Sequence, residues 1–257
     1  MLDRITPVIL TRDEAPNIAR TLGQLAWAKD IVVVDSLSTD DTTKIARTFP
    51  NVRVLERPFD DLARQWTFAL QHVHTPWLLA LDADYFVPEA LTEEMSKLDP
   101  ADDISGYEAT FRYAIGGRPL RATLYPPHPV LVRRDRTTFA IDGHAHRVLV
   151  AGRVLPLREP VIHDDRKSLR NFIARQRKYM RQEALKLRTA DPRTLGVSSR
   201  IRKLRVIAPL VILPYTLFGK GLILDGRAGL HYAMERFIAE LILSWELFKP
   251  VRSSDRP

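Results

Sequence analysis

The chain alternates between short apolar runs and stretches where apolar residues recur every three or four positions. Residues 5–11, 31–34, 52–55 and 77–81 are the runs, and their length and aliphatic content predict buried strands. Asp13-Glu14-Ala15-Pro16 supplies an acidic cap and a first-turn proline for a helix with Ile18, Leu22 and Leu25 on its apolar face. Ser38-Thr39-Asp40 caps a second helix, and Leu62, Trp66, Ala69 and Leu70 mark a third at the 3.6-residue period. Strand–helix repetition of this kind predicts an α/β fold, a mostly parallel sheet with covering helices. Beyond Gly106 the pattern becomes alternating over residues 107–113 and 148–157. Breaks at Gly116-Gly117 and Ala151-Gly152-Arg153 predict hairpins there. From Ser168 onward the chain reads as helix, with Leu169, Phe172, Met180, Ala184 and Leu187 in one stripe.

Charge divides the chain where the pattern changes. Residues 1–165 hold 19 Lys/Arg against 24 Asp/Glu, residues 166–205 hold 14 against 2, and residues 206–257 hold 6 against 5. The net +8 thus belongs to one basic segment, which predicts a boundary near residue 165, with an α/β body over 1–165 and a helical extension over 166–257. Cysteine is absent, which excludes disulfides and thiolate metal sites and fits a reducing compartment. The opening Met1-Leu2-Asp3-Arg4-Ile5 has neither the basic region nor the apolar core of a secretion signal, so a cytoplasmic location is expected.

Ligands of parallel α/β sheets bind beyond the carboxyl ends of the strands, and Asp13-Glu14, Asp35 and Asp82-Ala83-Asp84 fall at such ends. Residues two apart on a strand share a side, so Asp82 and Asp84 are candidates to grip one hard cation, Mg²⁺ or Mn²⁺, which would bridge a diphosphate. A solvated turn after a buried strand is the plain alternative. Asp35 offers a carboxylate to a base N–H or a ribose hydroxyl, or equally to its own helix-entry turn. No G-x-G-x-x-G and no Walker sequence occurs, which counts against dehydrogenases and P-loop NTPases. A nucleotidyltransferase would need a Gly-rich, basic loop after the first strand, where this chain has Thr11-Arg12-Asp13-Glu14-Ala15-Pro16.

Together, Val8-Ile9-Leu10-Thr11-Arg12-Asp13-Glu14-Ala15-Pro16-Asn17-Ile18, Val34-Asp35-Ser36-Leu37-Ser38-Thr39-Asp40-Asp41-Thr42 and Leu81-Asp82-Ala83-Asp84 resemble family 2 glycosyltransferases. More narrowly they resemble the bacterial branch containing the lipopolysaccharide-core β-glucosyltransferases. Residues 65–70 resemble that branch's Gln-x-Asn-Phe-Ala-Leu segment, with Thr67 in place of asparagine. Residues 220–229 resemble its Gly-x-x-Asp-Gly-x-x-Gly tail. The match keeps its order over nearly the whole chain. It implies a GT-A fold and a nucleoside-diphosphate sugar donor, UDP-linked, with inversion at the anomeric carbon. Thr11, Asp13, Glu14 and Asp35 would hold base and ribose, Asp82 and Asp84 the diphosphate metal, and Arg64 and Gln65 would lie near the phosphates.

An acceptor hydroxyl needs a base. The branch carries a Tyr-Pro-Asp element and a His-Glu pair. This chain reads Tyr125-Pro126-Pro127-His128 and His146-Arg147 instead. Asp142, backed by His146, is the remaining candidate base, and His163 is a candidate third metal ligand or phosphate contact, against a purely structural histidine. A polyprenyl-phosphate acceptor, already ionised near neutrality because its second pKa is about 6, would need no base. A degenerate scaffold is the non-enzymatic reading.

The basic segment has too few aromatics to favour nucleic acid, and none is expected as a partner. Its basic and apolar faces suit an anionic membrane surface. Residues 206–218 carry no charge, yet their 13 positions fall short of the roughly 20 a spanning helix needs. An interfacial or re-entrant piece at the inner face of the cell membrane is therefore expected, with a buried core helix as the alternative. A further helix over 232–248, with Phe237, Leu241, Ser244, Trp245 and Phe248 on one face, would cover it, lie in the interface or form a homo-oligomer contact. The expected acceptor is a lipid-linked or cell-envelope glycan.

Overall fold

The computed structural model describes residues 1–250 except Gly143, His144, Pro192 and Thr194, and for Asp142, Ala145 and His146 it describes the backbone. The first elements are β1 (Ile5–Thr11), α1 (Ile18–Gly23), β2 (Ile31–Asp35), α2 (Thr42–Ala46), β3 (Val52–Glu56), α3 (Leu62–Gln71) and β4 (Trp77–Asp82). Next come β5 (Tyr85–Phe86), α4 (Glu89–Ser96), β6 (Ile104–Ala109), β7 (Phe111–Ile115), β8 (Arg118–Pro119) and β9 (His128–Arg133). The strands end with β10 (Thr137–Asp142), β11 (Ala145–Val150), β12 (Arg153–Pro156) and β13 (Val161–His163). Four helices close the chain: α5 (Leu169–Thr189), α6 (Val197–Lys203), α7 (Ile207–Pro214) and α8 (Gly226–Phe248). Contacts group these into two compact units, Met1–Pro119 with Thr123–Arg166, and Leu120–Ala122 with Lys167–Pro257.

In the first unit a seven-stranded sheet runs β12-β6-β9-β4-β1-β2-β3. β1 pairs in parallel with β2 and β4, and β2 with β3, while β9 is antiparallel to β4 and β6. This is the expected mixed α/β architecture with a mostly parallel sheet. The apolar runs become its central strands because both faces are covered. Ile31 and Val33 of β2 pack with Ile9, Ile18, Leu22 and Trp77, whereas Val32 and Val34 pack with Val8, Trp66 and Leu78 on the other face. Each fully buried side chain of this size contributes about 1.5–3 kcal/mol of transfer free energy. A second, four-stranded sheet runs β5-β13-β7-β8, and β10 with β11 makes a separate ribbon. Phe139 of that ribbon stacks on Trp66 of α3, centroids 5.5 Å apart.

Several expected elements differ. α1 begins at Ile18, not at Asp13, because Asp13 takes a left-handed backbone (φ 53°) that no helix continues from. The alternating residues 107–113 are not one strand: they divide between β6 in the large sheet and β7 in the small one. Nor do residues 148–157 pair with themselves. β11 pairs with β10, and after Gly152 the chain leaves for the sheet edge, where β12 runs parallel to β6. Alternation reports that a strand is half-buried and is silent about its partner. The hairpin at Gly116-Gly117 is present, joining β7 to β8.

In the second unit α5 packs on α8 through Met180, Ala184, Leu187, Leu243 and Leu247. Arg188 donates to the carbonyls of Glu246 and Lys249 at 2.7 and 2.6 Å, covering the open end of α8. That helix starts six residues earlier than the periodicity places it, at Gly226. The glycine-rich tail has a steric origin: a Cβ on Gly229 would stand 1.9 Å from the Leu222 carbonyl oxygen. Residues 206–218 form α7 and a π-turn, with Leu210 and Phe218 68% and 69% exposed, so they are not a buried core helix. Among the described residues no single helix is long and apolar enough to cross a membrane. Ile207–Gly219 and Leu222–Phe248 meet the length and apolar content for a span only as a pair, bent by 70°.

Gly152 holds φ 127°, and a Cβ there would meet Ser105 Oγ at 2.1 Å and its Cβ at 2.9 Å. Gly152→Ala is expected to lower the unfolding free energy by about 2 kcal/mol or more in urea titration. Adding Ser105→Ala should recover only part of it, since the Cβ contact remains.

Candidate active site

The chain crosses from one side of β1 to the other between β3 and β4, so the loops after β1, β2 and β4 part and leave a crevice at their carboxyl ends. Thr11 of β1 is in register with Asp35 of β2, and Leu10 with Asp82 of β4. Thr11 Oγ1 donates to Asp35 Oδ1 at 2.8 Å, and Ser38 donates to Asp35 through its backbone N–H (2.7 Å) and its hydroxyl (2.5 Å). The Asp35 carboxylate is therefore both at the crevice and committed to its own turn, at 1% exposure. Asp13 Oδ1 accepts from the Thr39 N–H at 2.7 Å, and the Glu14 N–H donates to Thr42 Oγ1 at 2.7 Å. These bonds stitch the first loop to the second. Each loop carries one strained non-glycine residue in the left-handed region, Asp13 (φ 53°) and Leu37 (φ 58°). Such strain persists where surroundings over-determine the backbone, commonly at binding sites.

Asp84 lies in the turn after β4 and not on the strand, so alternation does not align it with Asp82. Its carboxylate turns instead to β13, where His163 Nε2 stands 3.1 Å from Asp84 Oδ2. Both side chains are nearly buried. Strand pairing sets this meeting, since β13 lies between β5 and β7 with His163 opposite Tyr85 and Tyr113. Rings of Tyr113, Tyr85 and Tyr125 surround the imidazole at 4.7, 5.3 and 5.5 Å. Burial alone depresses the His163 pKa, but the Asp84 charge and hydrogen bond, then the Asp82 and Asp165 charges, outweigh it and raise the value above 6.5. Burial first, then Asp82, Tyr125 and Asp84, push the Tyr85 phenol well above its ordinary 10.0, and its hydroxyl lies 2.9 Å from that of Tyr125. The pocket is thus a concentration of carboxylate charge around one imidazole. Among the described residues no three His, Asp or Glu side chains are arranged as a ready-made metal cage.

Helix α1 and its N-cap tie the two halves of this pocket together, which the sequence pattern did not flag. Thr21 Oγ1 lies within hydrogen-bond reach of the Ala83 and Tyr85 carbonyls, at 2.6 and 2.9 Å. Asn17 donates to Glu14 and Asp165 and accepts from the Arg166 N–H at 3.0 Å. Arg20 pairs with the Asp164 carboxylate and donates to its carbonyl at 2.6 Å. The available signal was Thr21 itself, a hydroxyl on the same stripe as Ile18, Leu22 and Leu25.

The side chains of Gln65 and Arg64, neighbours on α3, meet different surroundings. Buried Gln65 donates to Ser36 Oγ at 2.9 Å, bracing the turn behind Asp35. Arg64 is 71% exposed and pairs with Asp61 at 3.3 Å. Asp142 ends β10 opposite Ala145, and His146 faces Ile141 across the ribbon; the side chains of Asp142 and His146 lie outside the described residues. The Tyr125-Pro126-Pro127-His128 element folds onto the aromatic pocket, His128 stacked on Phe111 at 4.4 Å.

Residues 7–151 match the family described as Glycosyl transferase family 2. The lipopolysaccharide core biosynthesis glycosyltransferase LpsC of Rhizobium meliloti (strain 1021) is 28% identical over 159 residues, 57% of this chain and 57% of that protein. An uncharacterized glycosyltransferase of Rickettsia felis is 34% identical over 95 residues, 37% of this chain and 33% of its own length. The matches thus span between a third and little over half the length of these relatives. Among solved structures, S. aureus TarS 1–349 in complex with UDP-GlcNAc is 15% identical with a TM-score of 0.48, covering 93% of this chain and 89% of that one.

Because the folded state raises the His163 pKa above 6.5, its contribution to stability is complete below 6.5 and is lost as pH rises through the folded value. In chelator-treated protein the melting temperature is expected to fall across that window, and His163→Gln should flatten that part of the profile in a thermal scan.

Proposed function

The chain belongs to glycosyl transferase family 2, and we propose that it moves a sugar from a nucleoside diphosphate, UDP by resemblance, to a lipid-linked or cell-envelope glycan. The observation that carries this reading is the convergence on one strand edge of Thr11–Asp35 on one side of β1 and Asp82, Asp84 and His163 on the other. Asp35 and Asp82 lie on strands flanking β1, two strand spacings apart, about 10 Å, a distance suited to a nucleoside and its diphosphate. Asp13, Glu14, Thr11 and Asp35 are assigned to base and ribose, and Arg64 to the phosphate side. Gln65 serves by holding Ser36 in place.

The donor set suits Mg²⁺ or Mn²⁺, which favour carboxylate oxygens and accept imidazole. Two neighbouring ligands of an octahedral ion at about 2.0–2.1 Å stand about 3 Å apart, and Asp84 Oδ2 and His163 Nε2 are separated by 3.1 Å. Asp84 and His163, with Asp82, would hold the ion. A bound ion would supply charge neutralisation for a diphosphate leaving group. The chain's own part is to orient the donor and to keep Tyr85 protonated beside the carboxylates. Asp142, backed by His146, is assigned as the base for an inverting attack. Arg147, where the family branch carries glutamate, favours as second reading a phosphate acceptor that needs no base.

The helical unit is read as the membrane-apposed part, acting on the cytoplasmic face. Exposed Arg170, Arg177, Lys178 and Arg181 supply charge on α5, each worth about 1 kcal/mol near an anionic leaflet. The LpsC name, lipopolysaccharide core biosynthesis, supports an envelope acceptor.

Purified protein with Mn²⁺ is expected to hydrolyse a UDP-sugar slowly and to melt higher in its presence. Asp84→Ala should reduce turnover at least about 100-fold, the scale for losing one element of charge stabilisation. Equal rates for both proteins would remove the metal assignment. No turnover of any nucleotide sugar by the wild type would favour the scaffold reading.

A further inference from the structure

Along α8 the residues Leu230, Met234, Phe237, Leu241, Trp245 and Phe248 follow one another at intervals of three or four, and all but half-buried Phe237 are exposed. A helix in water normally buries such a stripe. Beside it, Val206, Pro209 and Leu210 join Phe237, Leu241 and Trp245 in lining a cleft of about 270 Å³. The one polar side chain in the lining, Ser244, is consumed, since its hydroxyl donates to the Arg205 carbonyl. At the Phe248 end the guanidinium of exposed Arg205 lies 5.1 Å over that ring. An apolar slot closed by a cation has the form of an amphiphile with an anionic head.

We infer that this cleft receives one hydrocarbon chain of an anionic phospholipid of the bilayer, with Arg205 meeting the phosphate. The inference rests on the membrane-apposed reading of the helical unit and adds to it the place and the chemistry of insertion. Charge separates the lipid from a second copy of the chain. Arg205 at the cleft is complemented by an anionic headgroup. Residues 166–205, which lead into it, carry 14 Lys/Arg against 2 Asp/Glu, a net charge that attracts an anionic leaflet and repels a second copy.

The test uses full-length protein and vesicles of phosphatidylglycerol and phosphatidylcholine, with doxyl labels either on the acyl chains or at the headgroups. Of the four tryptophans, Trp66 and Trp77 are buried and Trp27 half-buried, while Trp245 is 65% exposed. Fluorescence should be quenched more strongly by chain labels than by headgroup labels, and Trp245→Phe should remove that difference. Leu241→Glu, on an exposed position that water tolerates, should weaken vesicle binding at least tenfold. Arg205→Gln should lose most of the preference for phosphatidylglycerol over phosphatidylcholine vesicles. Vesicle binding without chain-label quenching would overturn the cleft assignment and leave surface attachment standing. No vesicle binding, with a dimer in sedimentation that Leu241→Glu dissolves, would overturn both in favour of self-association. No vesicle binding by a monomer would overturn both as well.

Discussion

Everything at the site depends on β1 being paired in parallel on both sides. That pairing forces the chain to leave β1 in one direction for β2 and to reach β4 from the other, so neighbouring loops cannot cover the strand end. The crevice is therefore a product of topology. Its walls are polar because backbone groups beyond the strand ends have lost their ladder partners and must find others. Ser38 and Thr42 hydroxyls accept from the N–H groups of Asp13 and Glu14, and the Asp35 and Asp13 carboxylates accept from those of Ser38 and Thr39. The Thr11 hydroxyl adds a bond that holds Asp35.

The second wall is held less directly. The turn at Ala83-Asp84 has few ladder bonds of its own, and β13 contributes only three residues. Pairing of β13 with β5 and the bond from the Asp164 N–H to the Asp84 carbonyl (3.1 Å) set the distance between Asp84 and His163. Asn17, Arg20 and Thr21 brace both segments from the first helix. Asp164 is buried at the centre of this arrangement with Arg20 and Arg166 as its cations. A buried carboxylate stripped of its partner is costly. The tie is therefore stiff, and the imidazole is confined among tyrosine rings with its charge set by neighbouring acids.

The helical unit has an apolar core around Met180, Leu187, Leu243 and Leu247, yet it also buries acids and leaves large apolar side chains outside. Glu183, Glu235 and Glu240 are buried, and Arg202 reaches Glu240 at 2.5 Å, while leucine, phenylalanine and tryptophan side chains stand outside. The Arg202–Glu240 pair ties α6 to α8. The apolar residues outside are then free to serve a surface, as the lipid reading requires.

The sequence by itself determined β1 to β4 of the large sheet, the helices between them and the family. Long apolar runs and 3.6-residue stripes are local signals that burial on both faces makes unambiguous. It also marked Asp35, Asp82 and Asp84 as strand-end acids. Only the tertiary structure decided the partners: that 148–157 divides between ribbon and sheet edge, that Asp84 turns from Asp82 toward His163, and that Asn17, Arg20 and Thr21 join residues more than sixty positions apart. Alternation and spacing describe which way a side chain points along its own element. Which other element it meets is set by the order of strands in the sheet, and that order is a property of the whole chain.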